Sequence, residues 1–278
     1  MTIRALASPL TLPDLVRGYL SLLNRSLRAN FAYRATTVMG LVTAALSYAI
    51  TIMVWRRVYA ENPGNLAVPR EDMYAYLALA FCLNYAVSIN VEMRIGQRIR
   101  MGLVATDLLK PVDFQVAQGF QSLADALFNA TLALCVFACT YLLLGPSVLP
   151  ATGASLGGFA ASLLLAFVLQ YSISFLFVQG AFYTYSGYGI FASRIAMHQT
   201  FSGVAAPLTL YPPVLKSIGA WLPFQHVIYT PIRIYTGELQ GASVFEALGR
   251  QALWIAALFI VGRLVMKHAL RQFEIQGG

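Results

Sequence analysis

Residues 92–118 read EMRIGQRIRMGLVATDLLKPVDFQVAQ, and long apolar runs lie on both sides of them. Arg94, Arg98, Arg100, Asp107, Lys110 and Asp113 are too costly to hold in hydrocarbon, so the segment is predicted to lie in water. Ile95, Ile99, Leu103 and Leu108 recur at roughly helical spacing, which predicts an amphipathic helix rather than a slack loop. An ordered helix set between two membrane runs is a surface offered to a partner.

The flanking runs set the class. The chain has 278 residues, 58% hydrophobic and only 11% charged, with mean hydropathy +0.66. Soluble domains carry about a quarter charged residues, so this is an integral membrane protein. Its apolar runs are long enough for helices across a core of about 30 Å, and the shorter alternating signal of a β-barrel is absent. No room is left for a soluble enzyme domain of ordinary size. The net charge of +8 fits basic residues gathered against anionic membrane lipids, not a nucleic-acid partner. Cys82, Cys135 and Cys139 fall in apolar runs and read as packing residues.

Working outward, the expected fold is all-α. Residues 11–30 predict a helix lying in the membrane interface, with Asp14, Arg17, Ser21, Asn24 and Arg28 along its wet stripe. Six spans are expected at 35–55, 73–91, 120–144, 155–183, 198–212 and 246–265. The charged segment 92–118 lies between the second and third. The stretch 212–243 is apolar but broken by Pro212, Pro213, Pro223 and Pro231, which predicts short re-entrant helices at the outer face. With both termini inside, the outer segments hold Arg56, Arg57, Arg70, Lys216, Arg233 and Arg250. The other thirteen of the nineteen Lys and Arg are then inside, as the positive-inside bias requires.

Motifs for chemistry are few. No G-x-x-x-x-G-K-[ST] occurs, so the chain has no P-loop with which to hydrolyse ATP, and HExxH is absent too. Gly153-Ala154-Ser155-Leu156-Gly157 matches G-x-S-x-G, but it opens a membrane helix and reads as a small-residue packing face. No catalytic, cofactor or metal residue is expected. Asp125 is the one carboxylate clearly inside a span. It either serves function at depth or sits shallow enough to meet water or a neighbouring arginine. Asn84 and Asn129, also in spans, are candidates with Asp125 for lining a substrate path.

Three stretches carry a resemblance. IRMGLVATDLLKP at Ile99–Pro111 resembles the cytoplasmic loop of the ABC type-2 permeases, the six-span membrane subunits of ABC exporters. LPFQHVIYTPIRIYTGEL at Leu222–Leu239 is similar to that family's outer segment before the last span, and ANFAYRA at Ala29–Ala35 fits its entry into the first. The resemblance implies a coupling helix within about 94–108, with Arg94, Arg98, Arg100, Leu103, Asp107 and Lys110 meeting a separate ATP-binding cassette subunit. That subunit would bind ATP and Mg. A second permease, identical or different, would complete the pathway for an amphipathic cargo. The location implied is the bacterial cytoplasmic (inner) membrane. The competing expectation is a stand-alone ion-coupled transporter that uses Asp125.

Overall fold

A computed structural model describes residues 12–32, 34–62, 66–144, 149–184 and 187–272. They form α1 Leu12–Ala32, α2 Arg34–Glu61, α3 Arg70–Ala86, α4 Val91–Arg100, α5 Val104–Leu108, α6 Phe114–Leu144, α7 Gly153–Val178, α8 Ala181–Thr184, α9 Gly187–Phe201, α10 Pro213–Ala220, α11 Tyr229–Tyr235 and α12 Ala242–Gln272. No strand occurs among the described residues. Five helical segments are long and apolar enough to cross a membrane: Val38–Glu61, Arg70–Arg100, Phe114–Ala138, Gly153–Thr184 and Ala242–Ala269.

The expected fifth span, 198–212, is not among them. The helix in that region is α9, and most of it lies before the expected span, between it and the fourth. At about 1.5 Å per residue its 15 residues reach about 22 Å, short of a 30 Å core. The chain leaves the helix at Ser202–Pro207 for a local reason. Gly203 has φ +86°, and a Cβ there would lie 2.8 Å from the Tyr76 hydroxyl. That hydroxyl donates to Gly203 O at 2.6 Å, and Tyr229 N donates to Ser202 O at 3.0 Å. The irregular backbone is thus satisfied by α3 and α11, as it must be away from water.

The proline-broken stretch is built of short helices. Pro213 starts α10, Pro223 starts a 3-10 turn to His226, and α11 follows. Phe224, Val227, Ile228 and Ile232 from this stretch pack with Met73, Leu77 and Ala80 of α3 and Leu169 and Ile173 of α7 into one apolar core. Gln251 on α12 stitches the layer: its Nε2 donates to His226 O at 2.7 Å, and its Oε1 accepts from Ser162 of α7 at 3.0 Å.

A second core lies at the other end. It joins Val91, Ile95 and Ile99 of α4 to Phe175 and Val178 of α7, Ala181 and Phe182 of α8, and Met266 and Ala269 of α12. The α7 start is fixed by a reciprocal cap. Thr152 Oγ1 accepts from Ser155 N at 3.0 Å, and Ser155 Oγ accepts from Thr152 N at 2.9 Å. Ser155, the formal nucleophile of the G-x-S-x-G match, is therefore a helix cap. α2 differs from the other four membrane-length segments: no residue from Val38 to Glu61 is buried.

Candidate functional site

The segment that anchors the sequence reading divides into two parts. The first, α4, is not a free amphipathic helix in water. It continues the line of α3 after a break at Val87–Asn90, and Val91, Glu92, Ile95, Gly96 and Ile99 are all buried against α7, α8 and α9. The segment was expected as an amphipathic helix offered to a partner; the apolar face of its first part is instead taken up by the bundle. The physical reason is a partner for the charge. Glu92, 0% exposed, pairs with Nε of Arg194 on α9, itself 4% exposed, so the carboxylate enters the packed interior already neutralised. Neither residue was among the expected site residues. Arg194 lies outside every expected span, and 102 positions separate it from Glu92, so nothing local in the sequence signals the pair.

The second part is an exposed tip. α4 ends where Gly102, with φ +69°, takes the left-handed conformation. Its N–H bonds Ile99 O at 3.0 Å and Leu103 N bonds Arg98 O at 2.9 Å, the two hydrogen bonds of a Schellman stop. The chain turns through α5, and Asp107 clamps the turn. Its Oδ2 accepts from Arg98 Nε and its Oδ1 from Lys110 Nζ at 2.7 Å. Burial raises the Asp107 pKa, but the hydrogen bonds and charges of Arg98 and Lys110 outweigh it and leave the pKa below its ordinary value. Outside this clamp stand Arg100, Met101, Leu103 and Leu109, the last 85% exposed.

The six residues expected at the coupling surface therefore separate. Arg98, Asp107 and Lys110 form the clamp, while Arg100 and Leu103 are presented outward. Arg94 faces the other way. Its Nη1 contacts Asp125 Oδ2 at 2.8 Å, its Nη2 donates to Ser122 at 3.0 Å and its Nε to Gln118 at 3.3 Å. The second Asp125 oxygen accepts from Asn30 of α1 at 3.0 Å. Both carboxylate oxygens are taken, so Asp125 meets a neighbouring arginine rather than standing alone in its span.

Asp125 and Asn129 line a cavity of about 580 Å³ between α1, α2, α6, α9 and the end of α3. Asn30, Ser88 and Asn90 give it a polar side; Tyr85, Phe128 and Phe191 give it an aromatic one. Asn129 Nδ2 donates to Ser88 O at 2.9 Å, satisfying a carbonyl freed by the α3–α4 break. Asn84, the third path candidate, does not join this cavity. It lies against α9, with its Oδ1 3.0 Å from His198 Nε2.

The comparison with curated proteins found no match. The family model described as ABC-2 family transporter protein matches residues 45–277, a range that takes in both halves of the divided segment, the cavity-lining helices α3, α6 and α9 and the proline-broken stretch. A multi-pass membrane chain of this layout, matched over most of its length, belongs to the ABC-2 family of transporter membrane subunits.

Proposed function

We propose that this chain is the permease of an ATP-driven exporter and that the 100–111 tip is where a separate ATP-binding cassette subunit docks. The observation that carries the reading is the contrast within the charged segment. Met101, Leu103 and Leu109 are exposed on a turn that Asp107 holds rigid through Arg98 and Lys110. Apolar side chains on a clamped turn, ringed by Arg100 and Lys110, suit insertion into a groove of a partner. Because α4 is packed into the bundle and joined to α3, motion imposed on the tip is delivered to the helices around the cavity. Closure of the ATPase pair on ATP would then favour one arrangement of those helices through differential affinity.

The cavity beside Asp125 and Asn129 serves as the cargo path. Its mixed polar and aromatic lining supports an amphipathic substrate of the drug, antibiotic or lipid kind. The unburied α2 beside it supports a pathway shared with a second permease, identical or different. The tip and both termini are assigned to the cytoplasmic side of a bacterial inner membrane, with α9 and the irregular backbone after it together making the sixth crossing that this requires; the placement of thirteen of nineteen basic residues supports the assignment. ATP and Mg belong to the partner.

The test is co-purification in mild detergent followed by a vanadate-sensitive ATPase assay. A P-loop subunit with activity is expected to accompany the native chain. An Arg100→Glu/Leu109→Glu variant is expected to insert and fold normally yet lose it. A single clean band without ATPase, from expression of the whole operon, sinks the permease reading. Full association of the double variant moves the docking surface elsewhere. Cysteines placed at Lys216 or Glu238 are expected to label from outside intact cells, and labelling only after permeabilisation overturns the assigned sidedness.

A further inference from the structure

Between α1, α4, the α5 turn and α6 lies a cleft of about 280 Å³. Four cationic side chains line it, Arg25, Arg94, Arg98 and Lys110, against one carboxylate, Asp107. Arg94 is matched by Asp125 at 2.8 Å, while Asp107 is a single carboxylate shared by Arg98 and Lys110. Arg25, exposed on α1, has no ion pair among the described residues. Four cations against two carboxylates leave the cleft with two positive charges in surplus.

Donors are in surplus too. Arg98 meets Asp107 through Nε, so its two Nη groups have no partner among the described residues, and neither is sealed from solvent. Lys110 gives one of its N–H groups to Asp107 and keeps the others. The side chains of Arg98 and Lys110 are 34% and 53% exposed, so a ligand can reach them. Guanidinium forks beside an ammonium suit a phosphate, whose oxygens accept paired N–H donors. The source of that phosphate follows from the neighbourhood. Leu12, Val16, Leu20 and Phe31 expose large apolar side chains along α1, and such a helix needs hydrocarbon beside it. The cleft is just below the size of ordinary small-molecule sites, about 300 Å³ and upward, and so holds a headgroup but not its chains.

We propose that this cleft binds the phosphate of an anionic lipid headgroup, held between Arg25 of α1 and the unused donors of Arg98 and Lys110. Asp107 keeps both of its bonds, and the lipid ties α1 to the turn that Asp107 clamps. The binding needs a membrane but no ATPase, so it does not rest on the exporter reading.

The test uses the full chain in mild detergent, without any ATPase, and three additives: phosphatidylglycerol, phosphatidylcholine, whose own choline neutralises its phosphate, and inorganic phosphate. Phosphatidylglycerol is expected to raise the thermal midpoint by about 3 °C at saturation, and the other two to leave it unmoved. Arg25→Gln is expected to weaken phosphatidylglycerol about tenfold, the loss expected for one charged hydrogen-bonding partner. Arg17→Gln/Arg28→Gln removes more charge from the same helix but outside the cleft, and is expected to leave that affinity unchanged. No shift from any additive, equal shifts from both lipids, or a loss in the Arg17/Arg28 variant as large as that in Arg25→Gln overturns the site. An equal shift from inorganic phosphate overturns the lipid as the source. Should Arg25→Gln fail to fold, Ser26→Cys in the cleft wall still decides the matter. Phosphatidylglycerol, and not phosphatidylcholine, is expected to slow its labelling by a water-soluble maleimide; equal labelling in the two lipids overturns the proposal.

Discussion

Two ion pairs leave α4 from positions two residues apart and meet opposite fates. Glu92 turns into the bundle and pairs with Arg194, both essentially without exposure. Arg94 turns toward α6 and pairs with Asp125, their side chains 25% and 19% exposed. On one face the helix is sealed by Ile95 and Ile99 against α7, α8 and α9; on the other it borders open clefts. An identical chemical pairing therefore serves two ends. Buried, it fixes α4 to α9; half-buried, it holds together helices that flank a cavity, where contacts can be exchanged with water at lower cost.

Breaking the sealed face should have the largest effect. Arg194→Leu leaves Glu92 as an unpaired buried carboxylate and is expected to cost roughly 3–5 kcal/mol in unfolding assays in detergent. The Glu92→Leu/Arg194→Leu double variant should recover most of that, because it buries no charge. If the single and double variants are equally destabilised, the pair is not what holds α4 to α9.

The open face should yield less. Arg94→Gln leaves Asp125 to Asn30 alone and is expected to cost about 1–2 kcal/mol. It should also raise thiol labelling at a cysteine placed at Asn129, as the cavity wall loosens. A loss as large as that of Arg194→Leu would mean the two faces are not energetically distinct.

Acid gives the mildest perturbation and touches the tip only. The Asp107 pKa is lowered in the folded chain, so its clamp contributes stability that is fully present above the unfolded value of about 3.9. That contribution fades as pH falls through the still lower folded value. Proteolysis at the 100–111 turn should thus stay flat from pH 7 to about 4.5 and rise only below about pH 4. Asp107→Asn should already show the raised rate at pH 7, and a wild-type turn that loosens near pH 6 would rule out Asp107 as its clamp.

What could be read in advance follows the range of each force. The helix α1 was visible because Asp14, Arg17, Ser21, Asn24 and Arg28 repeat at helical spacing, and the observed helix starts at Leu12. The broken stretch announced itself through its prolines, whose backbone constraints are local. Asp125 was visible as a charge inside a span, but its partners Arg94 and Asn30 were not assigned, since 31 and 95 positions separate them from it. The path of the chain through the expected fifth span was hidden for a similar reason. Gly203 and Pro207 mark a break, yet only the hydroxyl of Tyr76 and the N–H of Tyr229, arriving from elsewhere, let the backbone leave the helix where it does.

By itself the sequence determined that this is a helical membrane protein without a P-loop and that a charged segment interrupts its apolar runs. Those properties come from composition, periodicity and the stiffness of proline and glycine, all of which act over a few residues. Only the tertiary structure decided which face of α4 is sealed, which charges at 92–110 are spent on internal pairs and which side chains remain for a partner. Such choices depend on whether an opposite charge arrives from α6 or α9, and that is set by packing between helices far apart in the chain.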